Sequence, residues 1–373
     1  MAALRSTVAR LLGRTTPTPS APTPSAPTPP LVGFVVHGAG GVHPASAHVR
    51  VTGRMTALAA SGAARVAQVD PVRWADGSDT AHLDVLLVQR DAFPLAALDA
   101  ALARAAREGT RVVAEVDDDF FTPEARARLA QAEYDPDRLA AVDRVVRSAD
   151  AVVVSTEPLR RVLAAEGVDA VVVPNGVQPG LWDADAHEAR ARDTGGTRRV
   201  LYMGSATHGG DLDLLRPVFA EATDDDGRPV RLEVVGVTGD DATWFDRLPL
   251  PGDATHYPDF VAFLRAHAGR WSAGVAPLTE DRFNDAKSDL KFLEYTMLGL
   301  PFVGSDRPSY RGADRHGGLL AGDDPAAWRE ALRTAIREAD DRVARARRYV
   351  LTERTVGVDQ PGERAWRAAL GLS

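Results

Sequence analysis

The chain has 373 residues, of which 45% are hydrophobic and 26% are charged, and its formal net charge is −8. A single hydrophobic core stops growing at roughly 250 residues, so a chain of this length is expected to form two domains. The composition is that of a globular protein, and no stretch approaches the roughly 20 apolar residues that a membrane helix needs. The acidic balance argues against a general nucleic-acid-binding protein.

The sequence contains no cysteine. Disulfides, thiolate metal sites and cysteine nucleophiles are therefore excluded, and any chemistry must come from other side chains or from the backbone. A reducing compartment suits such a chain, and we expect a cytoplasmic protein.

The first thirty residues differ in composition from the rest. A Thr-Pro-Ser-Ala repeat over residues 15–30 cannot bury apolar surface and predicts a disordered tail over residues 1–30. Arg5, Arg10 and Arg14 surround a short apolar stretch, which leaves open a weak amphipathic helix at a membrane surface as the alternative to a disordered start.

Short apolar runs recur along the rest of the chain and alternate with helical stretches rich in alanine, leucine and arginine. Such alternation predicts parallel sheets covered by helices on both faces. The runs lie at residues 31–36, 85–88, 112–116, 151–154 and 170–173, and again at 200–203, 232–235, 274–276 and 302–303. We therefore predict an α/β fold with two doubly wound Rossmann-like domains, at residues 31–178 and 197–345, an interdomain linker at 179–196 and a helical segment at 346–373.

The most informative stretch, residues 282–310, reads RFNDAKSDLKFLEYTMLGLPFVGSDRPSY. Lys287, Lys291 and Glu294 fall at helical spacing on one face, while leucines and a methionine share the other. Asn284 or Asp285 can cap this helix, and free N–H groups at a helix start attract a diphosphate. A solvated polar face is the alternative explanation of the pattern.

This stretch resembles the donor-binding segment of family-four glycosyltransferases, which have the GT-B fold of two facing Rossmann-like domains. There a glutamate in a Leu-Glu-Tyr/Ala context precedes Gly-x-Pro and a strand that ends in Ser-Asp. The segments 201–208, 149–157 and 173–177 are similar to further elements of that family. The resemblance covers nearly everything from Leu31 onward and implies a retaining, metal-independent transfer of a sugar from a nucleoside-diphosphate sugar to an acceptor hydroxyl.

The resemblance also assigns roles on the donor side. Glu294 is expected to hold the ribose hydroxyls, the backbone around 285–289 to contact the diphosphate, and Gly299 and Pro301 to shape the following turn. The positive charge for catalysis is not assigned by the resemblance, and we expect it from Lys287, with His208 or Lys291 as the further candidates. The expected donor-binding residues are Gly204, Ser205, Thr207, Asn284, Ser288, Lys291 and Glu294.

Two departures from the family pattern stand out. The family commonly has a glutamate that touches the donor sugar eight residues before the ribose-binding one, and Ala286 occupies that position here. Many members have an arginine and a lysine in the loop after the first strand of the second domain, where this chain has Ser205 and Gly210. The donor sugar is therefore not defined by the resemblance.

Polar residues that follow the predicted strands of the first domain are candidates for the acceptor side, because open α/β sheets bind ligands at the carboxyl ends of their strands. Arg50 is able to bind an anionic acceptor, and a purely structural role is the equally good alternative. Asp118 and Asp119 end a strand, and acceptor contact or capping of the loop is favoured over magnesium binding, since the phosphate site is expected in the other domain. The acceptor-side candidates are His37, Gly40, Gly41, Arg50, Asp118 and Asp119.

The sequence thus predicts a glycosyltransferase whose partners are a nucleotide-sugar donor and a hydroxyl-bearing acceptor, with no cofactor and no metal. A nucleotide-sugar epimerase of the same fold and a non-catalytic GT-B protein that binds a nucleotide or a partner stay open. A nicotinamide enzyme is disfavoured because the glycines at 38, 40 and 41 lack the Gly-x-Gly-x-x-Gly spacing. A serine hydrolase is disfavoured because no Gly-x-Ser-x-Gly elbow occurs.

Overall fold

The computed structural model describes residues 28–38, 44–182, 196–204, 209–236, 243–252, 256–357 and 360–372. Within these ranges the chain forms two six-stranded sheets, and every pairing between their strands is parallel. Most of the predicted tail and most of the predicted linker lie outside the described residues.

The first sheet, with the helices around it, is called the first domain. Its strands are ordered β2-β1-β3-β4-β5-β6. Their bounds are β1 (Leu31–Val35), β2 (Arg65–Gln68), β3 (Val85–Gln89), β4 (Arg111–Val116), β5 (Ala151–Val154) and β6 (Val171–Val172). Its helices are α1 (Ala45–Ala47), a π-helical turn (His48–Thr52), α2 (Gly53–Ala60), α3 (Pro71–Ala75), α4 (Leu95–Glu108), α5 (Pro123–Gln131), α6 (Pro136–Ser148) and α7 (Glu157–Ala165), and α8 (Pro179–Trp182) follows.

The second sheet and its helices form the second domain. The strand order is β12-β11-β10-β7-β8-β9. The strands are β7 (Arg198–Gly204), β8 (Val230–Gly236), β9 (Asp246–Leu248), β10 (Trp271–Ala276), β11 (Phe302–Ser305) and β12 (Leu319–Ala321). The helices are α9 (Gly209–Asp213), α10 (Arg216–Phe219), α11 (Tyr257–His267), α12 (Arg282–Asp285), α13 (Leu290–Met297), α14 (Pro325–Arg337) and α15 (Ala339–Glu353), with 3₁₀ turns at Ala268–Arg270 and Ala313–His316. The last helix of the chain is α16 (Pro361–Ala369).

The apolar runs form strands because helices cover both faces of each sheet. In β3 every residue is buried, which explains a continuous rather than an alternating apolar pattern. The edge strand β2 was not predicted, since Arg65 and Gln68 at its two ends are exposed and leave no apolar run. The short strands β9 and β12 were also missed.

Two helices differ in extent from what the sequence pattern predicts. The pattern predicts a helix at about 49–61, and in the structure the helical segment begins earlier, at Ala45, and includes the π-helical turn. The pattern also predicts a long helical region at 324–350, which is divided at Glu338, between α14 and α15.

The chain crosses between the two domains twice. The first crossing leaves the first sheet through Val177, and the second returns from α15 through Thr355. The two segments pair like strands, because the Val177 N–H donates to the Arg354 carbonyl at 2.8 Å and the Val356 N–H donates to the Val177 carbonyl at 2.8 Å. The last helix, α16, then packs on β5 and β6 of the first sheet.

The returning helix α16 completes the core of the first domain. Trp366 is fully buried among residues of β1, α2, β3 and β4. Beside it, Arg54 Nε donates to Glu363 Oε1 at 2.8 Å, and both side chains are buried. The first domain is therefore built from two parts of the chain that are distant in sequence.

We expect Trp366→Ala to lower the free energy of unfolding by about 3–5 kcal/mol, because it leaves a large cavity in the first domain. Urea denaturation measures the loss. Val72→Ala is the control, since Val72 is 50% exposed and should change stability by less than about 0.5 kcal/mol. Equal effects of the two substitutions would contradict the packing described for α16.

Candidate active site

A cavity of about 530 Å³ lies between the carboxyl ends of the two sheets. Parallel sheets bind ligands where the strand order reverses, which is between β1 and β3 in the first sheet and between β7 and β10 in the second. The first domain contributes Pro44, Ala45, Ser46, Val49, Arg50, Arg90, Asp117, Asp118 and Asn175 to the walls. The second domain contributes Met203, Gly204, Val235, Gly236, Leu250, Tyr257, Phe260, Leu278, Lys287, Ser288, Leu290, Lys291, Glu294 and Tyr310.

Two glycines form the floor of the cavity in the second domain. Gly204 ends β7 and Gly236 ends the neighbouring strand β8, and the two are paired in register. Gly236 has φ of +112°, and a Cβ built there would lie 2.1 Å from the Gly204 carbonyl oxygen. Only glycine fits, so the backbone itself lines this part of the cavity.

The predicted helix over 284–297 is interrupted. The short helix α12 ends at Asp285, and α13 begins only at Leu290. Lys287 and Ser288 therefore lie on the connection, while Lys291 and Glu294 lie on α13, and all four line the cavity. The sequence pattern predicted one continuous helix with Lys287 in its first turn. That prediction is wrong, because Lys287 lies between α12 and α13.

Glu294 is 5% exposed and borders the cavity. The Tyr257 hydroxyl donates to Glu294 Oε1 at 2.6 Å. Burial raises the pKa of Glu294 to about 7, although the Tyr257 hydrogen bond and the charge of Lys291 act to lower it. Among the described residues Oε2 has no hydrogen-bond partner, so this oxygen is available to a ligand.

Two lysines bring positive charge to the same wall. Burial and the nearby charge of Lys287 lower the pKa of Lys291 to about 8. Burial also lowers the pKa of Lys287, while the charges of Asp118 and Asp211 act to raise it. The Lys287 ammonium lies 4.9 Å from the centre of the Phe283 ring. Two clustered, largely desolvated ammonium groups favour an anion between them.

The beginning of α13 is held by contacts from outside the helix. Arg354 donates to both carboxylate oxygens of Asp289 at 2.7 Å each, and its Nε donates to the Asn175 carbonyl at 2.9 Å. The Asn175 side-chain amide donates to Ser288 Oγ at 2.8 Å. Because Ser288 Oγ accepts this bond, its own hydroxyl proton is a donor that a ligand can use.

Asn284 is placed differently from the prediction. It is fully buried, and its side-chain amide donates to Asp211, to the Thr279 carbonyl and to the Thr279 hydroxyl at 2.9–3.1 Å. The residue that caps α12 is Asp281, whose carboxylate accepts the Asn284 N–H at 2.7 Å. Asn284 thus fixes the loop after β10 and does not border the cavity.

On the opposite wall Arg90, Asp117 and Asp118 form one ionic cluster. Arg90 Nε donates to Asp117 and its Nη2 donates to Asp118. Burial raises the pKa of Asp117 to about 6, against the lowering effect of Arg90. Asp118, 32% exposed, is the more accessible carboxylate. Arg90, which directly follows β3, was not among the predicted residues, and Asp117 directly precedes the predicted pair Asp118 and Asp119.

Two predicted acceptor-side residues have structural contacts. Asp119 is 1% exposed and accepts hydrogen bonds from the N–H groups of Phe121 and Thr122. Of the two roles expected for it, acceptor contact and capping of the loop, it has the capping role. Arg50 borders the cavity but is 1% exposed, and it donates to Glu115, to the Val173 carbonyl and to the Asn175 side chain. A buried guanidinium held in this way does not grip an acceptor from solvent.

His37 lies outside the cavity lining. Its Nε2 is 2.7 Å from Asp91 Oδ1, and Tyr134 and Arg138 donate to the other oxygen of the same carboxylate. Gly40, Gly41, Ser205, Thr207 and His208 lie outside the described residues, so their predicted roles stay predictions.

In the part of the chain that the structure describes, no group of three or more histidine or acidic side chains is arranged to hold a metal ion. Over the same residues, no helix combines the length and the apolar content that crossing a bilayer requires.

No protein-family model and no curated protein sequence matches the chain. Solved structures do match. The UDP-forming α,α-trehalose-phosphate synthase from Burkholderia xenovorans is 15% identical, with a TM-score of 0.56 over 80% of this chain and 76% of that one. Anabaena HepE, in complex with UDP and glucose, is 12% identical, with a TM-score of 0.58 over 92% and 99%. The apo lipopolysaccharide outer core galactosyltransferase WaaB is 13% identical, with a TM-score of 0.53 over 91% and 98%.

Two facing, doubly wound domains with a cavity between their carboxyl edges constitute the GT-B fold. The similarity to these three structures extends over both sheets of the chain. The predicted fold class is thereby confirmed.

The two neighbouring aspartates allow a direct test of the site description. We expect Asp119→Ala to lower the free energy of unfolding by about 2 kcal/mol or more, because it leaves buried backbone N–H groups without a partner. Asp118→Ala should cost less than about 1 kcal/mol, since Asp118 is partly exposed and Asp117 still pairs with Arg90. Urea denaturation compares them, and a larger loss for Asp118→Ala would contradict these assignments.

Proposed function

We propose that this protein is a cytoplasmic, retaining and metal-independent glycosyltransferase, which transfers a sugar from a nucleoside-diphosphate sugar to an acceptor hydroxyl. The observation that carries the proposal is the combination of Lys287, Lys291 and Glu294 on one wall of the cavity, at the strand-order reversal of the second sheet. The GT-B fold is shared with a UDP-forming trehalose-phosphate synthase, with a galactosyltransferase and with HepE, whose structure contains UDP and glucose.

The donor would be bound in two parts. The diphosphate is placed against Lys287, Lys291 and the free N–H groups at the start of α13, where the helix dipole adds to the positive potential. The ribose is placed against Glu294 Oε2, the oxygen that the Tyr257 hydroxyl leaves open. A carboxylate can accept both ribose hydroxyls, and a charge-assisted hydrogen bond contributes roughly 1.5–3 kcal/mol.

The reaction breaks the bond between the anomeric carbon and the diphosphate, so negative charge grows on the leaving group. Positive groups that are already in place stabilise this charge without reorganising. Lys287 and Lys291 supply that charge among the described residues, and His208 is a further candidate. This scheme needs no cofactor, because the donor substrate itself contains the activated bond.

The acceptor would enter from the wall of the first domain. Asp118 is the most accessible carboxylate of the Arg90 cluster and can accept a hydrogen bond from an acceptor hydroxyl. Arg90 fixes both aspartates, which keeps the carboxylates in place as the acceptor binds.

A thermal-shift screen tests the proposal, with UDP-glucose, GDP-mannose, ADP-glucose and the free nucleoside diphosphates as probes. A probe at 100 times its dissociation constant should stabilise the fold by about 2.7 kcal/mol. The best binder is then incubated with a panel of hydroxyl acceptors, and products are identified by mass spectrometry. No shift with any probe would contradict the proposal, and binding without transfer would favour a non-catalytic nucleotide-binding protein.

We expect Glu294→Ala to weaken donor binding by about tenfold to a hundredfold, since it removes the acceptor of the ribose hydroxyls. Calorimetric titration with the best binder of the screen measures the effect. Glu330→Ala is the matched control, because Glu330 lies on α14 of the same domain and is 60% exposed. Unchanged affinity in a folded Glu294→Ala protein would remove this residue from the site.

Donor affinity should depend on pH in a defined way. Lys291 loses its proton as the pH rises through about 8, so attraction for the diphosphate falls above that value. Glu294 gains a proton as the pH falls through about 7, so the carboxylate that binds ribose is lost below that value. UDP-glucose, whose diphosphate keeps a constant charge over this range, should bind best between the two. Glu294→Gln should remove the fall in affinity below about pH 7. An unchanged fall in that variant would contradict the assignment.

A further inference from the structure

Tyr257 stands out among the cavity residues because it contacts the carboxylate of Glu294 and two elements outside the second sheet. It is the first residue of α11 and is 3% exposed. Its hydroxyl donates to Glu294 Oε1 at 2.6 Å. The ring lies against the ring of His48, which belongs to the first domain, with 5.1 Å between the ring centres.

The ring of Tyr257 is itself packed in place. Trp182, 2% exposed at the end of α8, belongs with Tyr257 to one buried hydrophobic cluster. The Tyr257 hydroxyl has a single proton, and Glu294 Oε1 accepts it. Packing beside Trp182 and against His48 therefore sets the position from which this hydrogen bond is made.

The arrangement determines which oxygen of the carboxylate a ligand can use. Oε1 is occupied by the Tyr257 proton, and Oε2 has no partner among the described residues and borders the cavity. A carboxylate fixed at one oxygen loses rotational freedom before a ligand arrives, so less freedom remains to be lost on binding. Hydrogen bonding to the ionised form also favours ionisation.

We propose that Tyr257 is a positioning residue of the nucleotide site: packed beside Trp182 and against His48, its hydroxyl orients Glu294 so that Oε2 accepts the ribose hydroxyls of the donor. This inference rests on the proposed function and extends it to a residue that acts on the donor through Glu294. Tyr257 also packs on His48, so a side chain of the first domain supports the tyrosine that orients Glu294 in the second.

The test compares Tyr257→Phe with wild type by calorimetric titration of UDP-glucose, or of the probe in the screen that binds best, from pH 6 to pH 9. Tyr257→Phe should bind about tenfold more weakly at pH 7, which corresponds to the loss of one hydrogen bond. In Tyr257→Phe the fall in affinity on the acidic side of the pH curve should move to higher pH, because the Tyr257 hydrogen bond acts to lower the pKa of Glu294. The loss in affinity should shrink as the pH rises and Glu294 ionises in both proteins.

Two further variants separate positioning from general destabilisation. Tyr202→Phe is the matched control, because Tyr202 is a buried tyrosine of the same domain whose hydroxyl has no hydrogen-bond partner among the described residues. It should bind the probe as wild type does. In a Glu294→Gln background, Tyr257→Phe should have little additional effect, since the two substitutions act through one carboxylate.

The outcomes distinguish the two proposals. If wild type binds the probe and Tyr257→Phe follows the same affinity and pH curve, the positioning role is overturned and the proposed function is unaffected. If the two substitutions weaken binding additively, Tyr257 does not act through Glu294 and the inference is again overturned. If wild type binds no nucleotide or nucleotide sugar, the proposed function fails and this inference fails with it.

Discussion

The geometry of the site depends on one arginine. Arg354 lies where the chain returns from the second domain to the first, and it binds Asp289 with both terminal nitrogens and the Asn175 carbonyl with Nε. These contacts join the outgoing segment, the returning segment and the residue that precedes α13. The helix that presents Lys291 and Glu294 is thus fixed relative to both connections between the domains, and charge-assisted bonds with this bidentate geometry are among the stronger polar contacts in proteins.

Local sequence predicted the features that have local causes. Continuous apolar runs mark strands that are covered on both faces, and the spacing of Lys291 and Glu294 places them on one face of α13, as the structure does. The break before α13 was not visible in the same stretch. Asp281, Asn284 and Asp285 are all residue types that can cap the start of a helix. Asp281 does so here, and the Asn284 side chain is instead bound to Asp211, a contact that the local sequence does not reveal.

Other features depend on contacts between distant segments and leave no local signal. Arg90 and Tyr257 belong to the site because of strands and helices that meet only in the folded chain. Ala286 is a similar case. It is 1% exposed, packs with the core of the first domain, and its carbonyl accepts the Thr156 hydroxyl at 2.8 Å. The departure from the family pattern at this position therefore coincides with a buried contact between the domains.

The return of α16 to the first domain has a consequence for how the protein is made. Arg54 and Glu363 form a buried ion pair across 309 residues of sequence, and Trp366 fills the same core. Domains are generally expected to fold in order as they leave the ribosome. Here the strands of the first sheet emerge long before the helix that covers them, so this apolar surface stays uncovered while the second domain is synthesised. During that interval the nascent chain exposes a surface that chaperones are suited to bind.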